Sequence, residues 1–153
     1  MTDAPGRGTL RCRDIMTADV NTATGDMPIA EVAVLMRDTD VGSLPVVEGG
    51  KLAGIVTDRD IVVRAIAEGR GADTPVKEAM TTELFSVAPD DPVFQAIRIM
   101  GERQVRRIPV VNADGSLAGI IAMADVVLQT EDDREIAETL EEISSGSAFW
   151  GSR

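Results

Sequence analysis

The chain has 153 residues, 44% of them hydrophobic and 27% charged, with no histidine, no tyrosine and one cysteine, Cys12. These absences exclude a Ser-His-Asp triad, a Cys-His dyad, a histidine-ligated metal and an internal disulfide. The net charge of −11 argues against non-specific binding to nucleic acid or to an anionic membrane, because both need an excess of cations.

The opening Met1-Thr2-Asp3-Ala4-Pro5-Gly6 lacks the basic and apolar regions of a signal peptide, and no apolar run approaches a membrane span. Residues 1–9 are expected to be a flexible terminus, and the chain to be cytoplasmic. Val20–Thr24 is a short extended run ended by Gly25. Ile29, Val32, Ala33 and Met36 then follow the i, i+3, i+4, i+7 spacing of one helix face. Leu44–Val47 and Leu52–Val56 are β-rich runs joined by Glu48-Gly49-Gly50-Lys51, a hairpin signal. A closing helix is expected over about Asp58–Glu68, followed by a short linker near Gly69-Arg70-Gly71. Asp91-Pro92 supplies an N-cap and a first-turn proline for a second helix with the stripe Val93, Ala96, Ile97 and Met100. Ile108–Val111 and Leu117–Ile121 flank the turn-like Asn112-Ala113-Asp114-Gly115-Ser116, and a helix over about Met123–Gln129 closes the series. Glu131–Ile143 is an acidic amphipathic segment with Ile136, Leu140 and Ile143 on one face, suited to packing on its own domain or to a dimer contact. From Glu131 onward seven acids face two arginines, a net of −5.

The second half of this series repeats the first. A shift of 64 lays Asp14–Val47 on Glu78–Val111 without a gap, and a shift of 65 lays Leu52–Val62 on Leu117–Val127, with 15 identities in 45 aligned positions. Each copy reads as strand, helix, strand, strand, helix. A unit of ~60 residues is marginal alone, so the two copies are expected to pack together, with ligand clefts where they meet.

Gly54-Ile55-Val56-Thr57-Asp58-Arg59-Asp60-Ile61 resembles the signature of the CBS (cystathionine β-synthase) domain, as do Asp14-Ile15-Met16-Thr17 and Ser43-Leu44-Pro45-Val46-Val47. The pair resembles a Bateman module of the small stand-alone bacterial type. The resemblance implies an α/β (α+β) fold of two tandem β-α-β-β-α repeats, packed sheet to sheet about a pseudo-two-fold axis. It divides the chain into residues 1–9, repeat one at 10–71, repeat two at 72–130 and an acidic tail at 131–153. It further implies a non-catalytic regulatory module that takes AMP, ADP, ATP or S-adenosylmethionine between the repeats, dimerises as a disc and acts on a partner protein in trans. No cofactor, metal, nucleic acid or membrane is expected.

The family's ribose motif, Ser/Thr-x-x-Asp, is matched by Thr57-x-x-Asp60. The same pattern at a strand-to-helix junction is also a capping box, and the two roles are compatible. In the second copy Ala122 replaces the threonine and Asp125 alone remains. Phosphate donors are nominated at Arg59, beside a helix start, and at Arg106 and Arg107, whose alternative is an ordinary surface ion pair. Copy one has Gly42-Ser43 where copy two has Arg106-Arg107, so the two sites cannot be electrostatically equivalent. By resemblance, Phe85, Ser86 and Val87 line the adenine pocket of the Thr57–Asp60 site, and Val20, Asn21 and Thr22 that of the Asp125 site, although core packing also accounts for Val20 and Val87. Met16, Met36, Met80 and Met100 read as core filler. Cys12 stands between Arg11 and Arg13, where a lowered thiol pKa is conceivable beside the simpler reading of an ordinary cysteine. Two further readings stay open: a scaffold with degraded sites, and a module that takes S-adenosylmethionine.

Overall fold

The computed structural model describes residues 10–130; the expected acidic helix at 131–143 lies outside them. The element order is α1 (Cys12–Ile15), β1 (Ala23–Thr24), α2 (Ile29–Thr39), β2 (Ser43–Glu48), β3 (Lys51–Thr57), α3 (Asp58–Asp60), α4 (Val93–Arg103), β4 (Arg107–Val111), β5 (Leu117–Ala122) and α5 (Met123–Thr130). Helix α3 runs straight into the wide-turned segment Ile61–Ile66, where Ala67 N–H donates to the Val62 carbonyl at 2.8 Å, and a single 3₁₀ turn follows at Val76–Glu78.

The chain forms two compact units, which are not its contiguous halves. The Asp60 unit comprises Asn21–Leu84 with Asp114–Leu117, and the Asp125 unit comprises the described residues up to Val20, Phe85–Ala113 and the described residues from Ala118. Each unit therefore carries the sheet of one copy and the entry segment of the other.

In the Asp60 unit β2 and β3 are antiparallel, with a register shift beside Val46 and Val47, and β1 pairs parallel to β2 through Ala23 with Val46 and Thr24 with Val47. Only these two residues of the expected Val20–Thr24 run lie in the ladder. Gly49 and Gly50, at φ 58° and 78°, make the hairpin between β2 and β3, a conformation glycine adopts without a steric penalty. In the Asp125 unit β4 and β5 pair, and Val87 bridges Val110 in parallel, as Ala23 bridges Val46.

The entry segments are held by the same contacts in both units. Ile29 N–H donates to the Thr74 carbonyl, and Val93 N–H donates to the Leu10 carbonyl, each at 2.9 Å. These bonds satisfy amides that a helix start leaves open. That explains why Pro28 and Pro92 serve as N-caps without any side-chain cap. The proline thus precedes the helix rather than opening it, and the Asp91 carboxylate instead accepts from Ala88 N–H at 2.8 Å. Further along, Thr81 exchanges two backbone bonds with Ile55 (2.8 and 3.0 Å), and Thr17 does so with Ile120 at the same distances.

Each unit has its own core. Ala23, Ile29, Val32, Met36, Leu44, Val46, Val56, Ala65, Val76 and Ala79 fill the first. Cys12 and Ile15, from the first copy, sit in the second among Val87, Val93, Ala96, Ile97, Met100, Ile108, Val110, Ile121 and Val126. The α4 stripe is buried as expected, whereas Ala33 on α2 is exposed, so the apolar face of α2 is narrower than its spacing predicts. Met36 and Met100 are buried, and Met16 and Met80 pack against the cores from the side. The helices α2 and α4 end alike, at Asp40 (φ 56°) and Gln104 (φ 53°) in the left-handed region. In each case the next N–H reaches back to a methionine carbonyl, from Val41 to Met36 and from Val105 to Met100, which closes the last turn.

Candidate functional site

Strand β3 delivers Thr57 to the start of α3, where its extended backbone (φ −113°, ψ 162°) makes it the N-cap. Asp60 N–H donates to Thr57 Oγ1 at 2.9 Å, and Thr57 N–H donates to Asp60 Oδ2 at 3.0 Å. The reciprocal pair is a complete capping box, so the capping role is present in full. The same arrangement fixes a hydroxyl and a half-buried carboxylate at one helix start, where the peptide dipoles favour negative charge.

Asp60 has two further neighbours that sequence reasoning did not single out. Thr81 Oγ1 lies 3.4 Å from Asp60 Oδ2 and 3.5 Å from Oδ1. Arg64 Nε lies 3.8 Å from Oδ1, and its Nη1 donates to the Met80 carbonyl at 3.1 Å. The recurrence of Met-Thr at 16–17 and 80–81 was the available signal for Thr81; Arg64 had none, since its place follows from the turn geometry after α3.

The Asp125 unit keeps one half of the box. Ala122 N–H donates to Asp125 Oδ2 at 3.1 Å, which matches the bond from Thr57 to Asp60, but Ala122 offers no hydroxyl to Asp125 in return. The start of α5 is tied to Arg106, whose carbonyl accepts from Met123 N–H at 2.8 Å. The structure therefore sets the backbone of one nominated phosphate residue beside the helix that carries Asp125. In the Asp60 unit the equivalent bond runs from Asp58 N–H to the Gly42 carbonyl at 2.9 Å, and the side chain is missing.

Of the other nominated residues, Arg59 and Arg107 are exposed, on α3 and at the head of β4. Arg59 N–H donates to Asp58 Oδ1 at 2.8 Å. Phe85 is 37% exposed, and the Arg103 guanidinium stands over its ring at 4.2 Å from the centroid, a cation–π contact. Ser86, Asn21 and Thr22 are exposed, Val20 is half-buried, and Val87 is a core residue at 3% exposure. Phe85, Ser86, Val87 and Val20 belong to the Asp125 unit, and Thr22 and Asn21 to the Asp60 unit. Cys12 is fully buried, and burial together with Asp91 and Asp14 pushes its thiol up to about 12. The neighbouring arginines therefore do not activate it: Arg13 is drawn away into an ion pair with Asp90. Among the described residues no group of three or more acidic or cysteine side chains is placed to hold a metal ion, and no helix is long and apolar enough to cross a membrane.

Comparison with known proteins gives a consistent family likeness. The CBS domain family pattern matches the chain twice, at residues 12–66 and 76–130. The chain is 40% identical over 132 residues to the CBS domain-containing protein YhcV of Bacillus subtilis, covering 86% of this chain and 94% of that protein. Among solved structures, it resembles CBSX2 in complex with AMP (26% identity, TM-score 0.71, 79% of this chain and 96% of the other). It also resembles the CBS domain pair of protein MJ0100 in complex with 5′-methylthioadenosine and S-adenosyl-L-methionine (27% identity, TM-score 0.70, 80% and 97%).

Proposed function

This chain belongs to the CBS-domain family as a tandem pair, and from that premise we propose that it is a regulatory module that binds an adenosine-containing ligand through Thr57 and Asp60. The observation that carries the reading is the reciprocal Thr57–Asp60 box. A carboxylate held at one oxygen by a backbone amide retains lone pairs for the two hydroxyls of a ribose. Related CBS pairs solved with AMP, or with 5′-methylthioadenosine and S-adenosyl-L-methionine, supply the ligand class.

Within that class the favoured ligands are the adenine nucleotides AMP, ADP and ATP. Arg59 beside the first motif, and Arg106 and Arg107 beside the second, are the donors that a phosphate would use. Val20, Thr22, Phe85, Ser86 and Val87 remain the residues nominated for the adenine, although Val87 is a core residue whose N–H and carbonyl are bonded to Pro109 and Val111. The module performs no catalysis of its own and acts in the cytoplasm as a homodimer on a partner protein. Its signal requires unequal affinity of the ligand for two conformations, since equal affinity transmits nothing.

The test is titration of the full chain with AMP, ADP, ATP and S-adenosylmethionine by calorimetry, alongside Asp60→Ala. Saturable binding lost in the variant is expected; no binding of any of the four at millimolar concentration sinks the reading. A second reading, an interaction scaffold with degraded sites, is favoured at the second motif by Ala122. It predicts that Asp60→Ala leaves partner binding intact and that no ligand alters it.

A further inference from the structure

Two stretches of chain meet at the Asp60 carboxylate, its own segment from Thr57 to Arg64 and the second copy's entry segment at Thr81. The cap itself needs only the bond from Thr57 N–H to Oδ2. The additional contacts come from Arg64, just over a helical turn onward, and from Thr81, which belongs to the second copy's entry segment. Thr81 is fixed by its two backbone bonds to Ile55, and Arg64 by its bond to the Met80 carbonyl. Thr81 therefore approaches Asp60 from an anchored backbone, and the Arg64 guanidinium is itself held by the Met80 carbonyl. The Asp60 side chain is 14% exposed and the Arg64 side chain 52%.

We propose that Thr81 and Arg64 are positioning residues for ligand binding at Asp60, setting the rotation of its carboxylate. The inference rests on the reading of Asp60 as the ribose acceptor. The terminal torsion of an aspartate is broad and only loosely two-fold. The two oxygens turn together, and the cap restrains that rotation through a single bond to Oδ2. A ribose diol needs both oxygens in a fixed plane, and ordering them before binding lowers the cost of binding. Thr81 spans both oxygens and Arg64 faces Oδ1, so together they supply the second point of support.

The second copy does not repeat the cation. The position equivalent to Arg64 in the second copy is the uncharged Gln129. The counterpart of Thr81 is Thr17, which is exposed.

The full chain and its variants Thr81→Val, Thr81→Ser, Arg64→Gln and Asp60→Asn are titrated with AMP and with the uncharged 5′-methylthioadenosine, and the stability of each unliganded protein is measured by denaturation. Thr81→Val and Arg64→Gln are expected to weaken both ligands about fivefold, the scale of one hydrogen bond, under conditions where every variant is fully folded. Thr81→Ser, which keeps the hydroxyl, is expected to restore the wild-type affinity. An equal loss for both ligands marks positioning, whereas a loss for AMP alone after Arg64→Gln means that Arg64 pairs with phosphate directly and overturns its assigned role. Wild-type affinity in Thr81→Val, or failure of Thr81→Ser to rescue, overturns the inference while leaving Asp60 as the acceptor. No binding of either ligand by the wild type, or full binding by Asp60→Asn, overturns the underlying reading and this inference with it.

Discussion

Gly54 lies against the backbone of Thr81: a β-carbon on the glycine would stand 2.8 Å from the Thr81 carbonyl oxygen and 2.7 Å from Met80 Sδ. The second copy repeats this, with Gly119 only 2.6 Å from the Thr17 carbonyl on the same measure. The glycines are what allow each entry segment to pair with the last strand of a unit. Alanine at either position must displace a hydrogen-bonded backbone, not a flexible side-chain end. We expect Gly54→Ala and Gly119→Ala each to cost about 1–3 kcal/mol, read as a lower urea midpoint. An unchanged midpoint would show that the segments shift without penalty.

The two helix starts form a natural comparison for capping. Thr57→Val removes an N-cap hydroxyl and should destabilise by about 1 kcal/mol. Ala122→Thr supplies the missing hydroxyl opposite the Asp125 N–H and should stabilise by a similar amount, about 0.5–1 kcal/mol. Denaturant unfolding of the two variants and their combination reads both effects. A destabilised Ala122→Thr would mean that the start of α5 cannot accept the cap.

Cys12 should be unreactive in the folded protein. Its thiol is fully buried, and burial with Asp91 and Asp14 moves it from 9.0 to about 12. Above about pH 9 the unfolded chain releases this proton and the folded chain keeps it. The folded state then binds more protons, so stability falls as pH rises from 9 towards 12 and is unaffected by this group below that window. Thiol-specific labelling at pH 8 should occur only at the rate of unfolding. Cys12→Ala should remove the alkaline loss. Rapid labelling of native protein is the contrary result.

Asp40 ends α2 in the left-handed region at φ 56°, where a side chain is strained and glycine is not. Asp40 is exposed, so little contact is lost on truncation. Asp40→Gly should raise stability by about 0.5 kcal/mol, measurable as a small rise in thermal midpoint. A fall would mean that the added freedom of the unfolded glycine outweighs the relieved strain.

Local information in the sequence was enough for the duplication, the helices α2 and α4, the hairpin at Gly49-Gly50 and the Thr57–Asp60 box. The duplication is read by comparing identities 64 and 65 positions apart; each of the others depends on residues within a few positions of one another, where periodicity, turn chemistry and capping act directly. Pairing across the chain was not legible in the same way. That Cys12 and Ile15 belong to the core built on β4 and β5, that Leu10 and Thr74 cap helices of the other copy, and that Thr81 and Arg64 meet Asp60 are all decided by folding in three dimensions. The reason is that backbone amides and carbonyls have the same hydrogen-bonding capacity whatever the residue. A segment such as 75–81 carries no periodic signal naming its partner. Only the geometry of the folded units, with glycine at 54 and 119 opening the space, selects where each entry segment docks and which side chains it brings to the carboxylate.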